Sequence, residues 1–334
     1  MATTTFTRAQ LEALVASALR AANTEPSTAG DVARALVQAE IDGQGGHGLS
    51  RVASYCAQAR SGKVDGTAQP GLRMTRPGTA SIDVANGFAY PAFELMIEAL
   101  PQMARVNGIA AAGFVRSHHA GVLGWHVERL AEKGIVAIAF ANTPHAMTAW
   151  GGKSPLYGTN PIAFAAPRRA APPLVIDLAL SHVARGKIQA AAQKGESIPD
   201  DWAFDAEGRP TTDATAALKG TLAPSGGAKG AALALMVEVL AAALIGANFS
   251  RDATSFFDGE GAPPGVGQLF VGLAPDAFSD HFIGRIEALA ATIEGDDGAR
   301  LPGTKRVLQR AIAAERGIAV DRAVIDAIEK LAAG

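Results

Sequence analysis

The sequence predicts a mixed α/β fold in which helical ends surround a centre that contains both strands and helices. Residues 7–61 and 278–332 carry apolar side chains at helical spacing. Short apolar runs bounded by Gly, Pro or Asn occupy the middle of the chain, and amphipathic helical segments separate them. We therefore expect the two ends to pack together around an inserted central domain.

Two helices and a shorter third are predicted at the start of the chain. Thr7 is a typical N-cap residue, and an apolar stripe at helical spacing begins at Leu11. The second helix covers about residues 28–41 and ends at a cluster of glycines. The third covers about residues 49–61, and Gly62 ends it.

The central and C-terminal elements alternate between strand and helix. Strands are predicted at Ser81–Val84, Ile109–Val115, Ile135–Phe140, Leu174–Leu178 and Leu269–Leu273. Central helices are predicted at about Pro91–Asn107, Gly121–Lys133 and Ala228–Ile245. Helices in the tail are predicted at about Phe278–Ile293, Lys305–Arg316 and Asp321–Ala332.

The charge balance and the cysteine content exclude several classes of protein. The 334 residues include 30 basic and 32 acidic ones, a formal net charge of −2, with no basic block. Nucleic-acid binding needs such a block, so no nucleic-acid partner is expected. The single cysteine, Cys56, excludes a disulfide within the chain and a zinc ribbon.

The sequence also predicts a cytoplasmic protein without a membrane partner. The first residues lack the basic and apolar regions of a signal peptide. The most apolar stretch, Gly230–Ala247, is rich in alanine and contains Glu238, so it is predicted to be a buried helix.

Three motifs resemble ligand sites but lack the required context. Gly43–Gly48 matches the dinucleotide pattern G-x-G-x-x-G, although a helix is predicted before it where the motif requires a strand. Gly151–Ser154 resembles the end of a phosphate loop, but Met147 occupies the place of its first glycine. The three histidines within residues 118–126 lack chelating spacing, so no metal is expected.

His47 and Arg51 form the first candidate for chemistry. A histidine among glycines can approach a ligand closely, and its pKa suits proton transfer near neutral pH. Arg51, one helical turn later, would lie on the same face and could bind a carboxylate with two hydrogen bonds. The structural alternative is a capping histidine beside a surface arginine.

Three turns or junctions could bind a ligand as well. Arg116–Gly121 joins a strand to a helix, where free backbone N–H groups suit a phosphate. The Thr159 hydroxyl is free in the tight turn Gly158–Pro161. Pro224–Gly230 opens a long helix with glycines and a lysine, which suits an anion. Each of them could equally be a purely structural turn or helix cap.

Together these segments resemble the malate/L-lactate dehydrogenase family, over nearly the whole chain. The family includes ureidoglycolate and sulfolactate dehydrogenases and the Δ1-piperideine-2-carboxylate/Δ1-pyrroline-2-carboxylate reductases. The motifs that carry the resemblance are His47–Arg51, Ser117–His119, Gly158–Pro161, Asp177–Ser181, Ala184–Lys187, Gly226–Gly230 and Arg300–Gly303.

The resemblance implies a fold, a cofactor and a partner. The fold would be a non-Rossmann NAD(P)-binding domain with a largely antiparallel sheet, joined to a helical domain formed by both termini. Residues 76–284 would form the central domain, and residues 1–75 with 285–334 the helical one. The cofactor would be NADP or NAD, the substrate a small carboxylic acid, and the assembly a homodimer.

The resemblance also implies residue roles. His47 and Lys187 would be catalytic, and Arg51 and Thr159 would bind the substrate. The cofactor-binding residues would be His119, Ala120, Gly121, Val122, Leu123, Ile176, Asp177, Leu178, Ala228, Lys229, Arg300, Gly303, Lys305 and Arg306. The basic residues of the last segment could meet a 2′-phosphate.

The implied reaction is hydride transfer between the nicotinamide and C2 of a 2-oxo or 2-hydroxy acid of the malate, lactate or sulfolactate type. His47, as an imidazolium, would protonate the new alkoxide. The alternative is reduction of a cyclic 2-imino acid. Lys187 favours the hydroxyacid branch, whereas Gly246–Ser250 and Arg300–Gly303 are closer to the imine reductases. Gly46 stands where the family commonly has a serine that relays a proton, which leaves a non-catalytic binding protein as a third possibility.

Overall fold

The computed structural model describes residues 3–169 and 171–334. Its helices are α1 (Arg8–Arg20), α2 (Pro26–Ile41), α3 (Val52–Ser61), α4 (Ala89–Asn107), α5 (Leu123–Glu132), α6 (Arg185–Lys194), α7 (Ala214–Lys219), α8 (Ala228–Glu238), α9 (Phe282–Glu294), α10 (Thr304–Arg316) and α11 (Arg322–Ala332). Its strands are β1 (Thr3–Phe6), β2 (Gly71–Arg76), β3 (Thr79–Asp83), β4 (Ile109–Ser117), β5 (Val136–Ala141), β6 (Met147–Thr148), β7 (Pro155–Tyr157), β8 (Ile162–Ala166), β9 (Leu174–Leu178), β10 (Ala203–Phe204), β11 (Thr221–Leu222), β12 (Val266–Leu273) and β13 (Ile318–Asp321).

The largest sheet has seven strands in the order β2-β3-β4-β12-β5-β8-β9. Only β3 and β4 pair in parallel, and every other neighbouring pair of this sheet is antiparallel. Helices α4 and α5 pack against the sheet. Phe93 of α4 meets Phe114 and Phe270 of the central strands with ring centroids 5.0 and 5.6 Å apart. This aromatic cluster lies at the centre of the main core.

One margin of the seven-stranded sheet collects five chain segments. Ser117 at the end of β4 pairs with Val266 at the start of β12, and Ile162 at the start of β8 pairs with Leu178 at the end of β9. Neighbouring strands lie about 4.8 Å apart, so the four steps from β4 to β9 cover roughly 19 Å. We call this row of strand ends the site margin, because the candidate residues lie along it.

The two ends of the chain lie side by side. Strand β1 pairs antiparallel with β13, and helix α1 packs on α2 and on α11. Leu11, Val15 and Leu36 are completely buried in this region, so the apolar stripe that predicts the first two helices faces the core.

Thr7 caps α1 as expected, and this cap can be tested. Its hydroxyl accepts the Gln10 N–H while the Gln10 side chain accepts the Thr7 N–H, which forms a capping box. We expect Thr7→Ala to lower the free energy of unfolding by about 1 kcal/mol. Urea denaturation measures it. Thr215→Ala, which removes an exposed threonine from α7, is the control and should unfold like the unmodified chain.

A smaller four-stranded sheet, β10-β11-β6-β7, has its own apolar core with α6, α7 and α8 around it. Residues 151–154, which resemble part of a phosphate loop, join β6 to β7. The other glycine pattern, Gly43–Gly48, follows helix α2. Neither segment has the strand-to-helix setting of the motif that it resembles.

Most predicted elements are confirmed, and β9 has the predicted bounds. The helix predicted over Ala228–Ile245 is wrong in two respects. After Glu238 it continues as a short π-helix, Val239–Ala243, and one of its faces is exposed although we expected it to be buried. The helix predicted from Phe278 begins at Phe282, after a 3-10 turn. Among the described residues, none of the helices has the length and apolar composition that a membrane crossing requires.

Candidate functional site

His47 and Arg51 lie on two consecutive 3-10 turns, Gly45–His47 and Leu49–Arg51. The single helical turn expected between them is therefore wrong. Gly48 separates the turns, and a Cβ atom there would come within 2.4 Å of the Glu40 carboxylate. That carboxylate accepts the Leu49 N–H at 3.0 Å. Glu40 of α2 thus holds the segment in place, and Gly48 provides the space for this contact.

The His47 imidazole is half-buried and lies against a second histidine. Its ring stacks on the His119 ring with centroids 5.2 Å apart, and its Nδ1 atom is buried with no hydrogen-bond partner among the described residues. Burial, followed by the positive charge of Arg51, lowers the pKa of His47 to about 4. The imidazole of the free protein is therefore neutral at pH 7, and the imidazolium expected during reduction stays a prediction for the substrate complex.

Arg51 presents an unused hydrogen-bond donor beside this imidazole. Its Nε donates to the Gly46 carbonyl at 2.7 Å, and its guanidinium carbon lies 4.4 Å from the centre of the Phe257 ring. Its Nη1 is buried and unpaired within the described chain. Burial lowers the pKa of Arg51, although a guanidinium stays charged at neutral pH. A buried guanidinium nitrogen without a partner in the described chain favours an anionic ligand group such as a carboxylate.

The sequence did not reveal two tyrosines beneath the histidines. The Tyr55 hydroxyl lies 2.7 Å from His119 Nδ1 and 3.1 Å from the Tyr90 hydroxyl. Tyr55 is four residues after Arg51 on a predicted helix, which is a signal that could have placed it near the site. Tyr90 belongs to a distant segment and has no such signal.

A loop after the π-helix covers this group of side chains, and it too was missed. Phe256 lies 5.0 Å from the His119 ring, centroid to centroid. The buried Lys63 ammonium holds the loop by donating to the Ser255 carbonyl at 2.7 Å and to Asp258 at 3.1 Å. Gln58 donates to the Phe256 carbonyl at 2.9 Å. These bonds fix the aromatic residues of the loop against His119 and Arg51.

The first two predicted cofactor segments are brought together. Residues 119–123 lead from β4 into α5, and Gly121 has a positive φ of 65°. The Gly124 N–H, in the first turn of α5, donates to Asp177 Oδ2 at 2.8 Å. Burial raises the pKa of Asp177. Residues 119–123 therefore lie beside residues 176–178, with Ala120, Val122 and Leu123 buried and Leu178 exposed.

Thr159 and the start of α8 continue the same row. The Leu180 N–H donates to the Thr159 carbonyl, and the Ser225 N–H donates to the Leu180 carbonyl, both at 2.8 Å. Ala228 and Lys229 follow at the exposed beginning of α8. The site margin thus passes from the histidines to Thr159 and then to Lys229.

The last predicted cofactor segment lies beside β9, but its members point in different directions. A Cβ atom on Gly303 would lie 3.4 Å from the Val175 carbonyl. Arg300 and Lys305 are exposed. Arg306 is buried, and its Nη2 lies 3.4 Å from Glu128. Arg310 forms ion pairs with the same Glu128 and with Asp42. In this arrangement Arg306 joins α10 to α5.

The position of Lys187 differs from that of the other candidates. It lies in the first turn of α6 and is exposed. Within the described residues, no hydrogen bond or ion pair connects it to His47, Arg51 or Thr159. Its catalytic role therefore stays a prediction.

Several features of the site margin suit a large polar ligand such as a dinucleotide. Helices α8 and α10 begin without a side-chain cap in the described chain, which leaves backbone N–H groups for phosphate oxygens. Buried side-chain atoms without a described hydrogen-bond partner include His47 Nδ1, Arg51 Nη1, Ser117 Oγ, His118 Nδ1 and Ser181 Oγ. Such atoms indicate missing ligand contacts. The described residues contain no group of three or more His, Cys, Asp or Glu side chains suited to a metal ion.

The mixed α/β fold and the comparisons with known proteins define an oxidoreductase of the dehydrogenase class. The sequence model of the malate/L-lactate dehydrogenase family matches residues 6–329. The chain belongs to this family, as its motifs led us to expect.

Individual relatives agree with this assignment. The chain is 49% identical to the (2R)-3-sulfolactate dehydrogenase (NADP(+)) of Chromohalobacter salexigens, over 97% of this chain and 96% of that protein. It is 41% identical to a Δ1-pyrroline-2-carboxylate reductase of Burkholderia multivorans, over 90% and 89% of the two chains. Its structure is similar to that of the Δ1-piperideine-2-carboxylate reductase of Pseudomonas syringae, with a TM-score of 0.93, 37% identity and coverage of 98% and 99%.

Proposed function

We propose that this chain transfers a hydride between NADP and C2 of a small 2-oxo or 2-hydroxy acid, of the malate, lactate or sulfolactate type. The observation that carries the proposal is the half-buried pair of His47 and Arg51, each with a buried nitrogen atom that has no hydrogen-bond partner among the described residues. An acid–base group beside an anion anchor is what the reaction requires. The dependence of the 49%-identical sulfolactate dehydrogenase on NADP(+) favours NADP over NAD.

The residues of the pair would divide the work. A bound nicotinamide supplies or accepts the hydride. Arg51 would hold the substrate carboxylate, with Thr159 as a further contact, and positioning of this kind can contribute roughly 7–11 kcal/mol. Neutral His47 would take the hydroxyl proton during oxidation. The carboxylate would also offset the positive charge of Arg51, which raises the His47 pKa in the complex and allows the imidazolium to act in reduction.

The site margin would hold the nucleotide. Residues 119–123, 176–178 and 228–229 form a row along it. Gly303 lies beside Val175 of β9, and Arg300 and Lys305 stand close to it in the sequence. Arg306 could contact a 2′-phosphate only after leaving its partner Glu128. Residues 76–284 would thus form a non-Rossmann nucleotide-binding domain, and residues 1–75 with 285–334 the helical domain. The single thiol, Cys56, is buried and free, which suits a cytoplasmic location.

A substrate panel tests this function. The purified chain would be assayed with pyruvate, oxaloacetate, sulfopyruvate and Δ1-pyrroline-2-carboxylate, each with NADPH and NADH. We expect turnover of a 2-oxo acid with NADPH. Turnover of none of them, with no change in NADPH fluorescence and no thermal stabilisation by NADPH, would support the non-catalytic alternative instead.

Reduction of a cyclic 2-imino acid is the second candidate, and the state of His47 favours it. A protonated imine already carries its proton, so the low pKa of His47 would not hinder its reduction. The similarity to the Pseudomonas syringae reductase also agrees with this candidate. Activity confined to Δ1-pyrroline-2-carboxylate would establish it in place of the 2-oxo acid.

We further propose a homodimer that forms through the exposed face of α8 and its π-helix. Exposed apolar residues on this face are Leu233, Leu235, Met236, Val239 and Leu244. From Gly230 to Leu244 the only charged residue is Glu238, which is buried. A continuous apolar face of this kind is typical of a subunit interface, and twofold dimers are the commonest assembly.

A charge placed on this face should separate the subunits. We expect Leu235→Glu to convert the dimer into a monomer, since an unpaired carboxylate would be buried at the centre of the interface. Light scattering after size exclusion measures the mass. Leu289→Glu, at an exposed leucine of α9, is the control and should stay dimeric. A dimeric Leu235→Glu variant would place the interface elsewhere.

A further inference from the structure

Tyr55, Tyr90 and His119 form a buried hydrogen-bonded chain that ends beside His47. Tyr55 is 0% exposed, Tyr90 2% and His119 6%. The Tyr55 hydroxyl lies between the other two groups, 2.7 Å from His119 Nδ1 and 3.1 Å from the Tyr90 hydroxyl. Such deeply buried hydrogen bonds restrict the orientation of their donor and acceptor groups, because water cannot replace a lost bond.

Only one arrangement of protons gives both tyrosine hydroxyls of this chain an acceptor. Among the described residues, Tyr55 is the sole hydrogen-bond partner of the Tyr90 hydroxyl. If Tyr90 donates to Tyr55, then Tyr55 donates to His119 Nδ1, and both phenolic protons are paired. In the reverse arrangement His119 donates to Tyr55 and Tyr55 to Tyr90, and the Tyr90 proton is buried without an acceptor.

We propose that the Tyr55–Tyr90 pair holds His119 in the neutral form that carries its proton on Nε2. His119 would then be a permanent hydrogen-bond donor beside His47, and Tyr55 and Tyr90 would be positioning residues that act through it. Only the catalytic consequence of this inference rests on the proposed function. The tautomer of His119 is a property of the protein without any ligand.

The charges around the site support a neutral His119. Burial and then the positive charge of Arg51 lower the pKa of His119 well below its usual value, and burial raises the pKa of Tyr55 to about 12. Neither group is therefore expected to ionise near pH 7. No described residue makes a hydrogen bond with His119 Nε2, so its proton is available to a ligand.

A fixed neutral donor and a proton-exchanging imidazole would have different tasks. His47 would give or take the proton. With a 2-oxo acid, His119 would donate a hydrogen bond to the oxygen at the reacting carbon without losing its own proton, and so stabilise negative charge that develops there. The stacking of the two rings, with centroids 5.2 Å apart, places both in one pocket.

Nitrogen-15 NMR of the histidine-labelled chain tests the form of the ring directly. The two nitrogens of a neutral imidazole have well-separated shifts, because one carries a proton and the other does not. His119→Gln identifies the His119 signals among the seven histidines. We expect a proton on Nε2 and none on Nδ1 across pH 6–8. A proton on Nδ1, or a charged ring in that range, would overturn the proposal.

Variants test the role of the tyrosines. We expect Tyr55→Phe to mix the two neutral forms in the NMR spectrum and to lower kcat about tenfold, as for the loss of one hydrogen bond, with the Kd for NADPH unchanged. Tyr90→Phe should produce the same changes to a smaller extent. If Tyr55→Phe does not fold, Tyr90→Phe is the test of the positioning role. Tyr157→Phe, at the one other tyrosine, is the matched control and should change neither readout.

These readouts separate the inference from the proposed function. If no substrate is turned over, the proposed function fails while the NMR spectrum still decides the form of His119. If turnover occurs but Tyr55→Phe leaves the spectrum and kcat unchanged, the positioning role is wrong and the proposed function stands.

Discussion

Replacing His47 with alanine is expected to lower kcat by about 10²–10⁴, the usual contribution of a general acid or base. The Kd for NADPH should stay within about twofold, which corresponds to ~0.4 kcal/mol of binding free energy, because the residues proposed to hold the nucleotide are unchanged. Single-turnover hydride transfer and NADPH fluorescence titration measure the two quantities. His281→Ala removes an exposed histidine ahead of α9 and should behave like the unmodified chain.

The pH dependence follows from the same group, and its sign depends on the direction of the reaction. Burial and Arg51 lower the pKa of His47 to about 4, so above pH 5 the free protein holds the base form that oxidation needs. The kcat/KM for oxidation should therefore be independent of His47 titration between pH 5 and 8. Reduction of a 2-oxo acid needs the protonated form, and its kcat/KM should fall tenfold for each unit above pH 5.

Two results would contradict this assignment. Full activity of His47→Ala would remove His47 from the chemistry. The second would be a kcat/KM for oxidation that decreases as the pH is lowered below 7, if this decrease is absent in His47→Ala. It would mean that His47 has an ordinary pKa in the free protein.

The sequence predicted local structure well because local signals determine it. Thr7 marks the start of α1, and Gly62 ends α3 with a left-handed φ of 77°. The pattern of Leu174–Leu178 identified β9 to the residue. Each of these depends on a few neighbouring residues, whose caps and periodicity can be recognised in one short segment.

The sequence could not supply the relations between distant segments. Tyr90 meets Tyr55 across 35 positions, and Lys63 reaches the loop at Ser255 across 192. Arg306 occurs among basic residues that suit a phosphate, yet the fold pairs it with Glu128. The π-helix after Glu238 was missed because its apolar composition also suits an ordinary helix.

Substrate binding should depend on Arg51 more than on any other cation of the site. Its Nη1 is buried without a hydrogen-bond partner among the described residues, and Phe257 lies against its guanidinium. A carboxylate bound there would therefore make charge-assisted bonds away from water. We expect Arg51→Lys to raise KM for the acid about 10- to 100-fold, because an ammonium keeps the charge but cannot form two parallel bonds or stack on the ring.

Arg51→Ala should lower kcat/KM by about 30- to 5,000-fold, since truncating one partner of a buried charged pair costs roughly 2–5 kcal/mol. It should also raise the pKa of His47, because the guanidinium is one of the two causes that lower it. Steady-state kinetics and NMR titration of His47 measure these effects, and Arg20→Ala, at the exposed end of α1, is the control. Unchanged KM in Arg51→Lys together with an unshifted His47 in Arg51→Ala would show that Arg51 is not the anion anchor, and the substrate carboxylate would then have to bind elsewhere along the site margin.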